Sequence, residues 1–459
     1  MDEALPPSGE TSAGAAPTML AAEHLTTNAV VLLCFFPYFQ LLPLGPSETQ
    51  PISALVALFG VAAFGIARAV PTLAALGFLI IALAFGVVSV LGHGIGSMTM
   101  LLQLAAYAAP VMVLLYLWGR IHQVSKTVVL ACGFAYMILG ALQFLNLVPQ
   151  VVNILLGALI TRYEANVLTL GRGVVMFAAE PAYAAKILVM FMGFCFAFWR
   201  DGQMSGKRLT AICAITLFSI LVFNRSAIGV VLGSTLFGLY LFLRLGVLTR
   251  ILILLGAFLS INAAISWIKE VDTSRVTKDS PRNIQVGAYF LQQAARDEFG
   301  ISDIVRVGSA RLITSIGGYQ YAATLPMFGT GIGMSDSAVR RQLDNDEFLK
   351  EIDFDRSRFR HLKPHAPISA FVVETGVLGI LAIGTLITAI LRSLFYATRN
   401  ERAITGGLLG AAFWILFFTG VNSLPVPWVL FCLAGNRTGS YPLPDEARPA
   451  FPARTSGFR

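Results

Sequence analysis

The sequence is short of charge. Asp, Glu, Lys and Arg make up 13% of its 459 residues, against about 25% in a soluble globular domain. Soluble domains built from this chain would lack the charged groups to cover their surfaces. Staples are lacking too. Cys34, Cys132, Cys195, Cys213 and Cys432 all lie inside apolar blocks. None is positioned to close an extracytoplasmic loop, so the cysteines are silent on redox compartment. Lys and Arg are absent from residues 1–28, which hold Asp2, Glu3, Glu10 and Glu23. Without a basic n-region this segment does not read as a secretory signal. Its Pro, Ser, Gly and Ala content reads as a disordered tail over 1–27, and 436–459 reads alike.

Apolar sequence is abundant: 56% of residues are hydrophobic and the mean hydropathy is +0.73. A helix needs about 17–25 apolar residues to cross a bilayer core. Candidate spans fall near 28–44, 51–67, 71–91, 99–118, 127–145, 174–199, 209–223, 227–243, 251–268, 367–391, 404–420 and 423–435. The expected fold is all-α, a polytopic transmembrane bundle of about twelve spans. Gly420 to Pro427 interrupts the last apolar run, which reads as one bent helix or a short hairpin.

Basic residues give the bundle a direction. Arg68, Arg120 with Lys126, Arg200 with Lys207 and Arg208, Arg244 with Arg250, and Arg392 with Arg399 and Arg402 occupy every second connection. Connections 45–50 and 92–98 carry no Lys or Arg. Basic loops stay in the cytoplasm, so both termini are expected there, with the opposite face periplasmic in a bacterial inner membrane. The net charge of +8 follows from the same rule and calls for no nucleic-acid partner. Spans one to nine fill 28–268, and spans ten to twelve fill 367–435. Between them, 269–366 forms a long outer loop mixing acids and bases. Its stretch QVGAYFLQQAARDEF has apolar residues at helical spacing, which predicts a partly helical loop domain. A shorter outer segment, 146–173, contains Arg162, Glu164 and Arg172.

Ionisable residues in or beside spans are the exceptions that membrane physics leaves unexplained. A charge at a helix centre costs roughly 2.5–3.5 kcal/mol on insertion scales. Glu180 and Lys186 fall in the sixth span, where Pro181 is expected to break the helix beside Glu180 and open a water-filled cavity. The alternative is an interfacial Glu180 with Lys186 paired to it or snorkelling. Arg225, in NRSAIG, is either an interfacial anchor or an anion site, since guanidinium grips phosphate bidentately. His365 lies at the start of span ten and can take a hydroxyl proton near neutral pH; a structural role is the alternative. Glu374, inside that span, pairs with a loop Arg or faces a cavity. Arg306 and Arg311 precede an amphipathic stretch that closes with Gly329, Gly331 and Gly333. That run lacks the Lys-Ser/Thr of a P-loop and the strand of a dinucleotide fold. It reads as a tight turn re-entering the membrane surface. No Cys or His spacing supports a metal site.

In order and topology these features resemble the O-antigen ligase/polymerase superfamily, over roughly residues 170–435. The family pairs many spans with one long late periplasmic loop. Asn224-Arg225-Ser226 matches its Arg at the outer end of a span. Arg311, Pro326, Gly329, Gly331 and Gly333 match its Arg–helix–Pro–Gly-rich series. His365, Gly376 and Gly379 match the ligase spacing, but Ala366 departs from it. Phe177, Glu180, Pro181 and Tyr183 are similar to an element of exopolysaccharide polymerases, with Ala182 in place of Ser. The resemblance implies polymerisation of undecaprenyl-diphosphate-linked repeat units at the periplasmic face. O-antigen ligase and protein oligosaccharyltransferase are its other branches, and a transporter or flippase is the non-enzyme alternative. It further implies Arg225, Arg172, Arg306 and Arg311 on the diphosphate leaving group, and His365 or Glu180 as base. It implies no cofactor or metal. Membrane lipids, a chain-length regulator and polysaccharide export proteins are the implied partners.

Overall fold

The computed structural model describes residues 15–41, 49–66, 70–93, 98–160, 163, 173–244, 246, 249, 309–345, 363–395, 402–420 and 423–435. Among these residues the chain is all-helical, with fourteen α-helices and no strand. The helices are α1 (Ala15–Phe35), α2 (Ile52–Phe64), α3 (Val70–His93), α4 (Met98–Leu117), α5 (Lys126–Phe144), α6 (Gln150–Leu159) and α7 (Pro181–Arg200). They continue as α8 (Gly206–Phe218), α9 (Ala227–Arg244), α10 (Ser309–Ala323), α11 (Ser335–Asn345), α12 (Pro367–Phe395), α13 (Arg402–Trp414) and α14 (Val426–Gly435). Two π-helical turns, Ser219–Asn224 and Ile415–Thr419, extend α8 and α13.

Six of these elements are long and apolar enough to cross a membrane: α1, α4, α5, α7, α8 with its π-turn, and α12. Among the described residues, shorter apolar stretches lie in six more helices: α2, α3, α6, α9, α13 with its π-turn, and α14. The chain is a membrane-embedded helical bundle. Its surface agrees, because Phe59 is 73% exposed and Ile138 59% exposed. Large apolar side chains facing outward along spans are stable against lipid and costly against water.

α7 is the central helix. Its sequence is apolar on every side, as a helix enclosed by others requires, and it packs on α5, α8, α9 and α14. α13 and α14 are two helices packed on each other, with Gly420 to Pro425 between them. The hairpin reading of the last apolar run therefore holds.

Several boundaries differ from expectation. α1 begins at Ala15, inside the stretch read as a disordered tail. Tertiary contacts hold it there: Glu23 pairs with Arg120 at 2.5 Å and Asn28 accepts from the Ser125 amide at 2.7 Å. The sixth span starts at Pro181, not at residue 174. Pro181 occupies the first helical turn, where its missing N–H costs nothing, so it begins a helix rather than breaking one. Candidate span 251–268 and the amphipathic stretch 285–299 lie outside the described residues.

The two ends of the bundle differ in chemistry. At one end Arg120 also donates to the Phe64 carbonyl at 3.0 Å. Lys126 donates to the Gln203 carbonyl at 3.1 Å, and Arg200 to the Leu433 carbonyl at 3.2 Å. At the other end lie the π-turns, the start of α7 and the start of α12, along with irregular backbone. There the Gln40 amide donates to the Leu159 carbonyl at 2.6 Å, and the Gln50 amide to the Pro37 carbonyl at 2.9 Å.

Candidate functional site

The segment 173–180 is non-helical yet largely buried: Val174, Val175, Met176, Ala178 and Ala179 are all enclosed. Irregular backbone survives inside a membrane protein only where protein satisfies its polar groups. Here two amide side chains do so. Gln143, at the end of α5, accepts from the Met176 amide at 2.7 Å and donates to the Met176 carbonyl at 3.3 Å. Asn224, the last residue of the π-turn after α8, donates to the Val174 carbonyl at 3.1 Å and to the Pro181 carbonyl at 2.8 Å. The Val174 amide completes the join to the Phe223 carbonyl at 2.9 Å. At Gly173 the backbones come so close that a Cβ would collide with the Asn224 carbonyl.

This packing brings two of the sequence-predicted residues onto adjoining segments. Glu180 is the last residue of the irregular segment and the N-cap position of α7, and it is partly exposed. Arg225 follows Asn224 directly. It takes the left-handed conformation (φ 53°, ψ 28°) between the π-turn and α9. Its Nε donates to the Val222 carbonyl at 3.3 Å, and its guanidinium lies 5.6 Å from the Phe144 ring centroid. Ser226 then accepts from the Gly229 amide at 3.4 Å and starts α9. A carboxylate and a fixed cation thus border one break in the helical packing.

The remaining expected residues divide as follows. Arg311 belongs to the first turn of α10. Arg172 and Arg306 lie outside the described residues. His365 is half-buried just ahead of α12. The Ala366 amide donates to Ser315 of α10 at 2.9 Å, and Ser369 donates to the Ser315 carbonyl at 2.7 Å. α10 is therefore docked on the bundle through α12.

Lys186 and Glu374 are both buried in the bundle. Lys186 is only 1% exposed, and its ammonium donates to the Thr419 carbonyl at the end of the second π-turn. It also lies 5.0 Å from the centroid of the Tyr183 ring. The next residue, Gly420, packs against Pro367, two positions beyond His365. Lys186 thus ties α7, whose N-cap position is Glu180, to the neighbourhood of His365. Glu374 is fully buried and, among the described residues, takes two hydroxyl partners. Tyr107 donates to its Oε2 at 2.8 Å and Ser335 to its Oε1 at 2.9 Å.

The glycine-rich turn after α10 is tight, and it docks on a kink in α12. Gly376 has φ 66° and ψ −146° inside that helix, a conformation essentially restricted to glycine. The kink frees carbonyls for the turn. The Thr330 amide donates to Val373 at 2.9 Å, the Gly331 amide to Glu374 at 3.0 Å, and the Val377 amide to the Pro326 carbonyl at 3.0 Å.

Sequence reading singled out charges and missed their supports. Gln143, Tyr107 and Ser335 carry no charge, so no membrane cost flags them. An apolar cavity of about 30 Å³ lies beside Phe78, Phe371 and Trp428; it is too small and too dry for a sugar. No protein-family model and no curated protein matches this chain.

Proposed function

We propose that this chain is a glycosyltransferase of the O-antigen ligase/polymerase type, polymerising repeat units carried on undecaprenyl diphosphate at the periplasmic face of the bacterial inner membrane. In this reading the basic end is cytoplasmic, and so are both termini. The twelve crossings are α1 to α5, α7, α8 with its π-turn, α9, the candidate span 251–268, α12, α13 with its π-turn, and α14. The site lies at the opposite end.

One observation carries the reading: the partly exposed Glu180 and the cation of Arg225 border the same break, at the end away from the basic loops. Glycosyl transfer from a lipid diphosphate asks for such a pair. An acceptor hydroxyl attacks the anomeric carbon, a new C–O bond forms, and the bond from that carbon to the diphosphate oxygen breaks. The acceptor proton goes to Glu180 or His365. Negative charge grows on the departing diphosphate, and fixed cations stabilise it without reorganising. Arg225 supplies one, with Arg311, Arg172 and Arg306 as the others. Single-repeat glycans in a deletion strain, and their persistence with Arg225→Ala at normal membrane levels, are the expected results. Normal chain-length distribution in the Arg225→Ala strain refutes the role. Full polymer left on its lipid carrier in the deletion strain assigns the ligase branch instead.

A transporter or flippase for lipid-linked sugars is the second reading. The fully buried Glu374 beside the Gly376 kink favours it, because broken helices with polar groups at membrane depth are a transporter pattern. Lipid-linked repeats confined to the cytoplasmic leaflet of the deletion strain would favour this reading over the transferase.

A further inference from the structure

We infer that Asn224 is a positioning residue for the Glu180–Arg225 pair, closing with one amide the loop that ends in Glu180. The inference rests on the proposed transferase reading. Segment 173–180 is non-helical up to Pro181, where α7 begins, and Asn224 binds the carbonyls of Val174, near its start, and of Pro181, just past its end, at 3.1 and 2.8 Å. Both bonds use the two hydrogens of one Nδ2, which fixes the orientation of the amide. Asn224 is fully buried, and its Oδ1 has no hydrogen-bond partner among the described residues. The clamp therefore resides in the NH₂ group alone.

Asn224 is also the residue before Arg225, so its backbone sets where the guanidinium starts. The left-handed Arg225 turns the chain sharply from the π-turn into α9. One residue consequently joins the two, its side chain holding the carboxylate's segment and its backbone leading into the cation's turn. Gln143 holds the middle of the same segment from a different helix, and the Val174 amide on the Phe223 carbonyl helps at its start; Asn224 is the side chain that joins the two ends. A clamp of this kind acts on turnover more than on binding, because small misplacements of reacting groups cost up to about 100-fold in rate.

Two variants test it in the full-length purified chain. Asn224→Ala removes the clamp. Asn224→Asp keeps the size but turns an oxygen on both carbonyls; its protonated form returns one donor. Hydrogen exchange of segment 173–180 reads the clamp, and extension of the lipid-linked repeat extracted from a deletion strain reads its consequence. The expected result is faster exchange confined to 173–180 in both variants, with kcat reduced about 100-fold and KM little changed. Asn224→Asp should recover relative to wild type as pH is lowered, and Asn224→Ala should not. Unchanged exchange in both variants overturns the clamp. Faster exchange with normal kcat overturns the positioning role. A wild-type chain that extends nothing overturns the transferase reading and the positioning role with it, while faster exchange in the variants would still establish the structural clamp.

Discussion

Arg225 holds a conformation that costs a side chain about 1–2 kcal/mol, and it does so beside a buried asparagine. Strain kept at such a point is expected where function needs the side chain. Arg225→Gly and Arg225→Ala should therefore separate stability from activity. Both should stop polymer formation. The glycine variant should be more stable than the alanine variant by about 1 kcal/mol, measured as thermal midpoints in detergent. Equal midpoints would deny the strain. Glu374 makes a different case, because its carboxylate satisfies two buried hydroxyls. Glu374→Leu should destabilise by about 1–3 kcal/mol for each hydroxyl left unpaired, whereas Glu374→Gln should cost less. At this scale the charges were legible in the sequence because lipid makes them expensive. Asn224 stood in the quoted Asn-Arg-Ser element, but its clamping role was not legible. An amide carries no charge, and its partners are carbonyls far along the chain.

The elements follow their apolar runs closely, since any helix of that composition must bury itself in lipid or in other helices. Their ends do not, because ends are set by contacts. α1 reaches back to Ala15 through Glu23 and Asn28. α7 starts at Pro181 because the residues before it are captured by Gln143 and Asn224. The two π-turns left no periodic signal at all, and both end where something else docks: Asn224 on segment 173–181, and Thr419 on Lys186. The kink of α12 is the element most open to test. A Cβ on Gly376 would lie 2.9 Å from the Met327 carbonyl and closer still to that of Pro326. Gly376→Ala should expel the 324–334 turn from α12. Protease or thiol access to a cysteine introduced at Thr330 reports it, and unchanged access would mean that the turn does not depend on the kink.

For the whole molecule, the two ends make the sharpest contrast. Arg120, Lys126 and Arg200 brace one end through carbonyls and a carboxylate, and the irregular segment and both π-turns lie at the other. If the basic end is cytoplasmic, a cysteine at Gln203 should resist an impermeant thiol reagent in intact cells, and one at Ser423 should react. The opposite pattern would invert the bundle and put the proposed site on the wrong side for a periplasmic donor. The central claim is that the break bordered by Glu180 and Arg225 transfers a glycan from a lipid diphosphate. Its most direct measurement is extension of a purified undecaprenyl-diphosphate-linked repeat by the full-length chain in vesicles, read as a ladder of products. Wild type should give a ladder, and Arg225→Ala present in equal amount should give none. A wild-type chain that leaves the repeat unextended, or an Arg225→Ala chain that extends it normally, would contradict it.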